Sequence, residues 1–557
     1  MGHPTLSDVV AAPDARTSER WLGFAVLAAG LAMIILDSTI IGVALPAIVD
    51  DLDLALTDAQ WITSLYAIIF AALLLTSGRL GDRYGRRLLF LVGVLVFVGA
   101  SLTAAGAQNA GELIGSRCVQ GLGGAMILPA TLSTVNATFR GRDRAVAFGL
   151  WGAVMAGAAA VGPLLGGWLT TTLDWRWIFL VNLPLGAVIA AMGVRYVPET
   201  TGEVEAAGFD GWGLLTSALG LGLVVFALVE GSSLGWFRPN GDVEVLGFTW
   251  PESTPVSIVP VVLAAGLVLV GAFVAIERRR SSRRRPVLLE LSLFDVPTFA
   301  WGNLTAAMVA VGEFALLFVL PLYLVYARRL TIMETGWVLA AMAVGAFVAG
   351  AQARHLAARL GAPRVVTLGL VIELIAAVAA AMAITTEPDP WIIATLLAVY
   401  GLGLGLAAAQ LTSIVLRDVP VAQSGTASGT QSTVRQLGSA LGAALAGTML
   451  AIGFAITVPA RLALVAGVTA DDGRTMIDYM TGTAGAVIAM IRDKGDDGHF
   501  GVLGPRVADE LSIAFAQSVT AVLWMAAAFI ALGVIGAVAV ERVSRRAEMN
   551  RVGELKQ

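Results

Sequence analysis

Apolar runs of about 20 residues alternate with short polar segments along nearly the whole chain. An α-helix of that length crosses the hydrocarbon core of a bilayer. About fourteen runs can be marked off, and they start near Leu22, Thr57, Leu88, Glu112, Ala145, Arg176, Gly211, Ser257, Pro297, Thr335, Arg364, Trp391, Gln423 and Leu511. The pattern predicts an all-α polytopic membrane protein, and an even number of spans places both chain ends on one side.

Composition agrees with this prediction. Hydrophobic residues make up 57% and charged residues 14% of the 557 positions, whereas roughly a quarter of a soluble domain is charged. Residues 1–20 are polar and lack the short apolar core and small-residue cleavage site of a signal peptide. We therefore expect 1–20 and 542–557 to be cytoplasmic tails.

The distribution of the 36 Lys and Arg residues predicts the orientation. If the N-terminus lies inside, the inner loops and the tails hold most of them, as the positive-inside rule requires. The basic residues are nearly all Arg, and Ala and Gly abound, which is typical of a GC-rich bacterial genome. We predict a multi-pass protein of a bacterial inner membrane with both termini in the cytoplasm.

Three polar segments allow two interpretations each. In the long outer loop 231–256, Pro239-Asn240-Gly241-Asp242 either turns a small β-hairpin or lies in an unstructured loop. In the outer loop 459–510, residues 475–494 form either a helix on the membrane surface or a solvated one. The arginine-rich inner segment 278–285 either binds anionic lipid head groups or anchors the topology.

Asp37 lies near the middle of the first span, where an ionised carboxylate costs roughly 2.5 to 3.5 kcal/mol. It must therefore face protein or a wet cavity. Gly23, Gly30 and Ala44 share its helix face at seven-residue spacing and favour either close helix contact or a cavity wall. A carboxylate that alternates between dry and wet surroundings changes its proton affinity. Asp37 is thus either a proton-coupling group or a structural hydrogen-bond acceptor.

Arg117 stands in the fourth span, one turn from Gln120 on the same face. A buried cation needs a partner, so Arg117 either tunes a nearby carboxylate or forms a permanent structural pair. The fifth span contains Gly157, Gly162, Pro163, Gly166 and Gly167. Its Gly-xxx-Gly face suits close packing and its proline suits a bend.

A polar stripe marks the thirteenth span. Its members fall on one helical face and should point into the protein; they are Ser428, Gln431, Ser432, Arg435, Ser439 and Gly442. Glu313 in the ninth span and Glu373 in the eleventh are further buried carboxylates, each either a proton or substrate site or a paired structural group. The candidate cavity residues are thus Gln120, Glu313, Glu373, Gln431 and Arg435.

The sequence excludes several other function classes. It has no arrangement of nucleophile, base and orienting residue, and no Gly-rich loop that would hold ATP, so we predict that it is not an enzyme and uses an ion gradient. Cys118 is single and lies in a span. The three scattered histidines give no metal-site pattern, and no folded basic domain predicts nucleic-acid binding.

Between the second and third spans lies the segment Gly78-Arg-Leu-Gly81-Asp82-Arg83-Tyr-Gly85-Arg86-Arg87. This segment, with Leu36 to Pro46, Arg117 to Ala125, Gly157 to Gly167, Trp175 to Pro184, Leu289 to Asn303 and Ser424 to Gly447, resembles the major facilitator superfamily. The chain is most similar to its fourteen-helix drug:proton antiporters of the EmrB/QacA type, over nearly its whole length.

The resemblance implies two six-helix bundles, at 21–198 and 287–541, joined by two extra helices in 199–286, and rocking around a central cavity. It implies that Asp37 and Arg117 handle the proton, and that the fifth-span glycines seal against leak. Gly78, Gly81, Asp82, Arg83, Gly85, Arg86 and Arg87 would latch the outward-open state. The matching segment of the second half, 355–364, lacks the acidic residue, so the latch should rest on the first half.

We therefore expect a proton-driven efflux pump for amphipathic, often cationic, small molecules. It would need no cofactor beyond the proton gradient, and its partners would be substrate, protons and membrane lipids, without an obligate protein partner. Two alternatives keep their place: a dedicated exporter of an endogenous lipid, siderophore or antibiotic, and a membrane sensor that transports nothing.

Overall fold

The computed structural model describes residues 15–52, 54, 56–201, 210–245, 248–283, 285, 287–384, 389–420, 423–495 and 498–554. Most of the predicted first tail and residue 284 of the arginine-rich segment lie outside these ranges. The first bundle contains α1 Ala15–Leu52, α2 Leu56–Tyr84, α3 Arg86–Ala105, α4 Ala110–Thr138, α5 Gly141–Thr172, α6 Trp177–Leu180 and α7 Asn182–Tyr196.

Two further helices follow, α8 Gly211–Leu234 and α9 Ile258–Ser282. The second bundle contains α10 Pro297–Leu322, α11 Ile332–Leu360, α12 Ala362–Ala383, α13 Pro390–Val415, α14 Ser424–Leu462, α15 Ala470–Gly482, α16 Val487–Lys494 and α17 Gly504–Glu554. A one-turn 3-10 helix, Leu291–Asp295, precedes α10, and a π-helical turn, Tyr323–Ala327, follows it.

The predicted helical architecture is confirmed. Among the described residues, 13 helical segments are long and apolar enough to cross a membrane, with α6 and α7 forming one of them. The 32-residue helix α5 is the remaining long helix and packs between α1 and α11. The predicted sixth span is thus two helices, interrupted only at Val181.

The two bundles meet where α14 packs on α2 and α4 and where α5 packs on α11 and α13. Helix α8 lies along both α2 and α14, and α9 packs on α8. Ile68 of α2, Val225 of α8 and Ala440 of α14 belong to one apolar cluster. At the far end of α8, the indole of Trp236 donates to the Thr448 hydroxyl of α14 at 2.6 Å. The extra helices therefore contact both bundles.

Of the two forms predicted for the outer loop 231–256, the small hairpin is present, but with a different turn. A hairpin does form, with β1 Val243–Val245 antiparallel to β2 Phe248–Trp250, but its connection is 246–247, outside the described residues. The prediction that Asn240-Gly241 makes the turn is wrong: this pair precedes β1, where a hydrogen bond from Asn240 N to Leu234 O ties it to the end of α8.

The segment predicted at 475–494 is divided between α15 and α16. Ala484 and Gly485 separate them, both with positive φ. Met480 and Ile488 are fully buried against the second bundle, in the cluster that includes Phe515 of α17. The two helices therefore pack on the second bundle through this apolar face.

Candidate functional site

Asp37 is buried, and each of its contacts comes from a hydrogen-bond donor. Arg117 of α4 forms an ion pair with Oδ2. Oδ1 accepts from Gln120 Nε2 at 3.1 Å and from Asn182 Nδ2 at 3.0 Å. Ser101 of α3 accepts from the same two amides, at 2.8 and 3.2 Å. Four helices therefore meet at one carboxylate, and the arrangement fits its ionised form.

The Arg117 guanidinium is itself enclosed. Its Cζ lies 4.1 Å from the centroid of the Tyr66 ring of α2, a cation–π distance. Its NH1 also donates to Gln120 Oε1 at 2.9 Å. A buried charge is tolerated when it is paired and hydrogen-bonded, and both charges of this pair meet that condition.

Small residues bring the helices close enough for this network. A Cβ on Gly23 would lie 2.6 Å from the Tyr196 carbonyl oxygen, and one on Gly30 would lie 2.7 Å from the Phe90 ring. Of the two interpretations of the small-residue face around Asp37, close helix contact is confirmed and a cavity wall is wrong. Ser38, one residue on from Asp37, is exposed.

The fifth-span glycines have different surroundings. A Cβ on Gly162 would collide with Thr39 of α1, and one on Gly166 would lie 3.0 Å from the Ile40 carbonyl oxygen, so α5 packs on α1 beside Asp37. Gly167 is only in ordinary contact range of α1, at 3.8 Å from Val43, and Gly157 faces open space. The backbone at Pro163 is helical. Two of the predicted glycines thus make the close contact.

Asp82, near the end of α2, joins the two bundles. Its carboxylate accepts from Arg86 Nη2 at 2.7 Å within its own segment. It also accepts from the backbone amides of Gly425 and Thr426 at 2.9 and 2.8 Å. These amides belong to the first turn of α14, where a helix dipole favours a negative charge. We call these contacts the Asp82 latch, and the side of the protein where they lie the latch end.

Close backbone approach supports the latch. A Cβ on Gly78 would collide with the Gly425 carbonyl oxygen, and one on Gly429 would lie 3.0 Å from the Leu74 carbonyl oxygen. Beside them, Asn136 of α4 donates to the Ser424 hydroxyl at 3.0 Å. The two bundles are therefore in direct contact at the latch end.

Glu199, which follows α7, holds the rest of the α2–α3 connection. It accepts from the Arg87 backbone amide at 3.1 Å, and the Thr200 carbonyl accepts from the Arg86 amide at 3.0 Å. Gly85 has φ +112° and lies against Glu199. Of the other predicted latch residues, Gly81 packs near Leu89, and the guanidinium of Arg83 lies over the neighbouring Tyr84 ring.

The second bundle contains a looser polar group. Arg435 Nη2 lies 3.4 Å from Glu313 Oε2, and the Arg435 side chain is 31% exposed. Glu373 is fully buried, at the α12–α13 contact with Tyr400, and makes no ion pair in the described part of the chain. The predicted stripe of α14 points inward, and Gln431 Nε2 lies 3.4 Å from the Thr412 hydroxyl.

Sequence reasoning placed several residues correctly and missed others. Asp37 and Arg117 do meet, and Gln120, which was predicted as a cavity residue, belongs to their network. The partners Tyr66, Ser101 and Asn182 were missed. Asn182 stands in a recognised motif, which was a usable signal, whereas a lone hydroxyl in an apolar run gives none. Glu199 was missed because it lies far from the α2–α3 segment in sequence.

The amino-acid sequence is similar to a known family and to several named proteins. The family model "Major Facilitator Superfamily" matches residues 27–443. The probable actinorhodin transporter of Streptomyces coelicolor is 33% identical over 79% of this chain and 74% of its own length. The puromycin resistance protein pur8 of Streptomyces alboniger is 33% identical over 80% and 84%, and the multidrug resistance protein Stp of Mycobacterium tuberculosis (strain CDC 1551 / Oshkosh) is 30% identical over 78% and 76%.

Solved structures show the same fold. The human organic anion transporter MFSD10 superposes with a TM-score of 0.57 at 13% identity, covering 94% of this chain and all of its own. A bacterial homologue of the lysosomal transporter Spinster gives 0.51 at 16% identity, covering 95% and 99%. The helical architecture, the match to the family model and these relatives agree: the chain belongs to the Major Facilitator Superfamily.

Proposed function

We propose that this protein exports amphipathic or cationic small molecules in exchange for protons, by alternating access across a bacterial inner membrane. The names of the relatives support the direction and the cargo, since they describe resistance to antibiotics or drugs. The proton gradient supplies the energy, at roughly 2.3 kcal/mol per proton for 100 mV. Neither a cofactor nor an obligate protein partner enters this mechanism.

The latch end is the cytoplasmic end in this proposal. The arginine-rich α2–α3 segment and the basic residues after α9 both belong there, as the positive-inside rule favours. The Asp82 latch closes this side, so the structure corresponds to a state from which cytoplasmic substrate is excluded. Opening requires that Asp82 release the first turn of α14.

The observation that carries the proposal is the enclosed ion pair of Asp37 and Arg117. All contacts to the carboxylate are donors and one of them is the Arg117 cation, so a proton binds Asp37 more readily once Arg117 moves away. Arg117 contacts Tyr66 of α2, the helix that ends at the latch. Proton binding at Asp37 is thereby tied to movement of helices that contact the second bundle.

The second bundle offers the more open surface for cargo. The partly exposed Arg435, with Glu313 and Gln431, gives a few polar groups amid apolar helices, the usual character of a drug-sized site. A cationic substrate would be held by the carboxylates when Arg435 turns away. Glu373 adds a second buried acid close to this group.

A dedicated exporter of an endogenous antibiotic is the second candidate. The relatives named probable actinorhodin transporter and tetracenomycin C resistance and export protein favour it, since each name states one compound. Both candidates share the proton-driven mechanism and differ in the breadth of accepted substrates.

The test uses purified protein in liposomes with an imposed pH gradient, a panel of lipophilic cations and neutral drugs, and a dye that reports internal pH. Wild type should show substrate-dependent proton flux, and Asp37→Asn should lose it while still inserting. The matched control is Asp471→Asn, because the Asp471 side chain is 90% exposed.

Each outcome decides something. Flux with many compounds supports multidrug efflux, and flux with one compound class supports the dedicated exporter. Full proton-coupled flux in Asp37→Asn would overturn Asp37 as the coupling site. Substrate movement in wild type without proton movement would overturn antiport itself.

A further inference from the structure

A second enclosed acidic group lies where the α8–α9 hairpin begins and ends. Asp210 immediately precedes α8, and Glu277 lies near the end of α9. Asp210 is 3% exposed and Glu277 is fully buried. Neither residue contributes to the Asp37 network or to the Arg435 group.

The two carboxylates face each other across Gly213. Asp210 Oδ2 and Glu277 Oε1 each lie 2.7 Å from the position that a Cβ on Gly213 would occupy. Asp210 accepts from the Gly213 amide at 2.8 Å and pairs with Arg280 Nε at 2.9 Å. Glu277 Oε2 accepts from the Leu289 amide at 3.1 Å. Glu277 Oε1 has no donor in the described part of the chain.

Among the residues that the structure describes, the charges around this pair do not balance. The described groups that face Glu277 are Asp210, Arg280 beyond it, and the backbone amides of Leu288 and Leu289. Two ionised carboxylates against one guanidinium would leave a buried negative charge, and facing carboxylates do not both ionise readily. A proton on Glu277 Oε1 removes the excess charge and supplies the missing hydrogen bond to Asp210.

We propose that Asp210 and Glu277 together bind one proton from the latch end, and that this proton site controls the Asp82 latch. An open depression lined by Gly211, Trp212, Leu215 and Arg280 lies beside Asp210, which pairs with Arg280. The site is separate from Asp37 and serves to set how readily the bundles part.

A short series of contacts leads from the pair to the latch. Glu277 holds the amide of Leu289, and Leu288 and Leu289 pack in an apolar cluster with Leu75 of α2. The next residue, Glu290, accepts from Gln423 Nε2 at 2.7 Å. Gln423 directly precedes the first turn of α14, whose amides bind Asp82.

The direction of the effect follows from burial. Glu277 is enclosed only while the 287–290 segment is docked, so the docked state binds the proton more tightly than the released state. Docking is therefore favoured at low pH and weakened as pH rises. The regulatory consequence rests on the proposed antiport: protons brought in by export would hold the latch closed, so that an acidified cytoplasm limits its own proton load.

The test measures the latch directly and needs no transport. Spin labels are placed on Leu88→Cys in the first bundle and Leu360→Cys in the second, both exposed positions near the latch end, in a Cys118→Ala background. Distances between the labels are measured by pulsed electron paramagnetic resonance in nanodiscs from about pH 6 to about pH 9. This range covers the pH values over which buried carboxyl groups commonly titrate.

In wild type, the short-distance population should fall as pH rises. Glu277→Gln keeps an acceptor for Leu289 and permanently supplies the donor to Asp210, so it should stay in the short-distance population over the whole range. Glu19→Gln, an exposed position on the same side, should behave as wild type. A pH response in Glu277→Gln equal to that of wild type would overturn the proton site.

A third variant tests the connection. Gln423→Ala removes the contact to Glu290 and should flatten the pH response, and an unchanged response would overturn the route through Gln423. Infrared difference spectra between the two pH limits give a readout of the proton itself. A protonated-carboxyl band should be present in wild type and reduced in Glu277→Gln, and an equal band in both would overturn the assignment. Failure of the liposome assay with these results intact would count against antiport alone.

Discussion

In the first bundle, Asp37 is held by Arg117 and two amides inside four helices, whereas in the second bundle Glu313 meets a partly exposed Arg435 at 3.4 Å. The same contrast holds at the latch end. Asp82 lies three residues before Gly85, and Ala358 holds the same position before Gly361; both glycines have positive φ. Asp82 contacts the other bundle, whereas the alanine at the matching position has no polar side chain to do so. The first bundle thus concentrates fixed charge contacts, and the second leaves its polar groups freer to meet a ligand.

The largest expected effect comes from removing the basic partner in each bundle. Arg117→Gln leaves Asp37 buried without its cation and should destabilise the protein by about 3–5 kcal/mol. Arg435→Gln removes a long pair in which only the guanidinium is partly exposed, and should cost about 1–3 kcal/mol because the buried Glu313 loses its donor. Thermal unfolding of purified variants in detergent measures both. Equal losses would mean that the two ion pairs are equally enclosed, which breaks the comparison.

The two helix-ending glycines give the next contrast. Both have backbone angles that L residues rarely adopt, so Gly85→Ala and Gly361→Ala should each cost about 1–3 kcal/mol. A Cβ on Gly85 also meets Glu199 Oε1 at 2.7 Å, whereas the nearest atom at Gly361 is Pro363 Cδ at 4.0 Å. Gly85→Ala should therefore unfold at the lower temperature. The reverse order would show that Glu199 gives way freely.

A third pair of glycines tests a feature that the two bundles share, the close contact of one helix with another. Gly162 of α5 packs on α1, and Gly442 of α14 packs on the Val311 carbonyl of α10. Gly162→Ala and Gly442→Ala should each cost about 1–3 kcal/mol, because an added methyl group overpacks the contact. Gly157→Ala, with open space around its Cβ, is the control. A harmless Gly442→Ala would remove the structural parallel between α5 and α14.

The smallest effect concerns pH at the end opposite the latch. Hydrogen bonds from Trp175 and Arg176 lower the pKa of Asp51, and those from the Thr469 side chain and amide, with His499, lower the pKa of Asp472. A lowered pKa stabilises the folded state above the carboxyl's ordinary pKa, and this is lost as pH falls through the folded value. Acid should therefore slightly weaken the hydrogen bonds of Asp51 and Asp472, and with them the local structure that these bonds hold.

Amide hydrogen exchange can follow this acid effect. Exchange at the start of α15, after correction for intrinsic rates, should quicken as the pH falls below the ordinary pKa of an aspartate side chain. Asp472→Asn should show fast exchange at every pH, because the capping carboxylate is absent. A pH-independent wild type would mean that the Asp472 cap adds nothing to helix stability.

The sequence predicted much of this arrangement for a physical reason. Charges in apolar spans must be paired, so Asp37 and Arg117 could be expected to find partners, and glycine spacing indicated where helices approach. The identity of the partners did not follow: Ser101 and Tyr66 are ordinary residues until the helices are packed. Glu199 and Gln423 act across long stretches of chain, which spacing cannot reveal.

Local signals failed where tertiary contacts decided the outcome. Asn240-Gly241 suits a tight turn, yet Asn240 is hydrogen-bonded to the end of α8. The two strands of the hairpin, Val243–Val245 and Phe248–Trp250, both follow this pair. Residues 475–494 show an amphipathic pattern that a membrane surface could satisfy equally well. The second bundle, with Phe515 and its neighbours, buries that apolar face instead.

The position of α8 affects how lipophilic molecules can reach the transporter from the membrane. Where α2 meets α14, α8 lies over the seam with α9 packed on it, and among the large apolar side chains described in α2, only Tyr84 is exposed. The seam between α5 and α11 is flanked instead by outward-facing side chains such as Val161, Trp168 and Phe347. A compound dissolved in the lipid leaflet would therefore meet the covering helix α8 at the α2–α14 seam and exposed side chains at the α5–α11 seam. We expect access from the membrane at the second seam only.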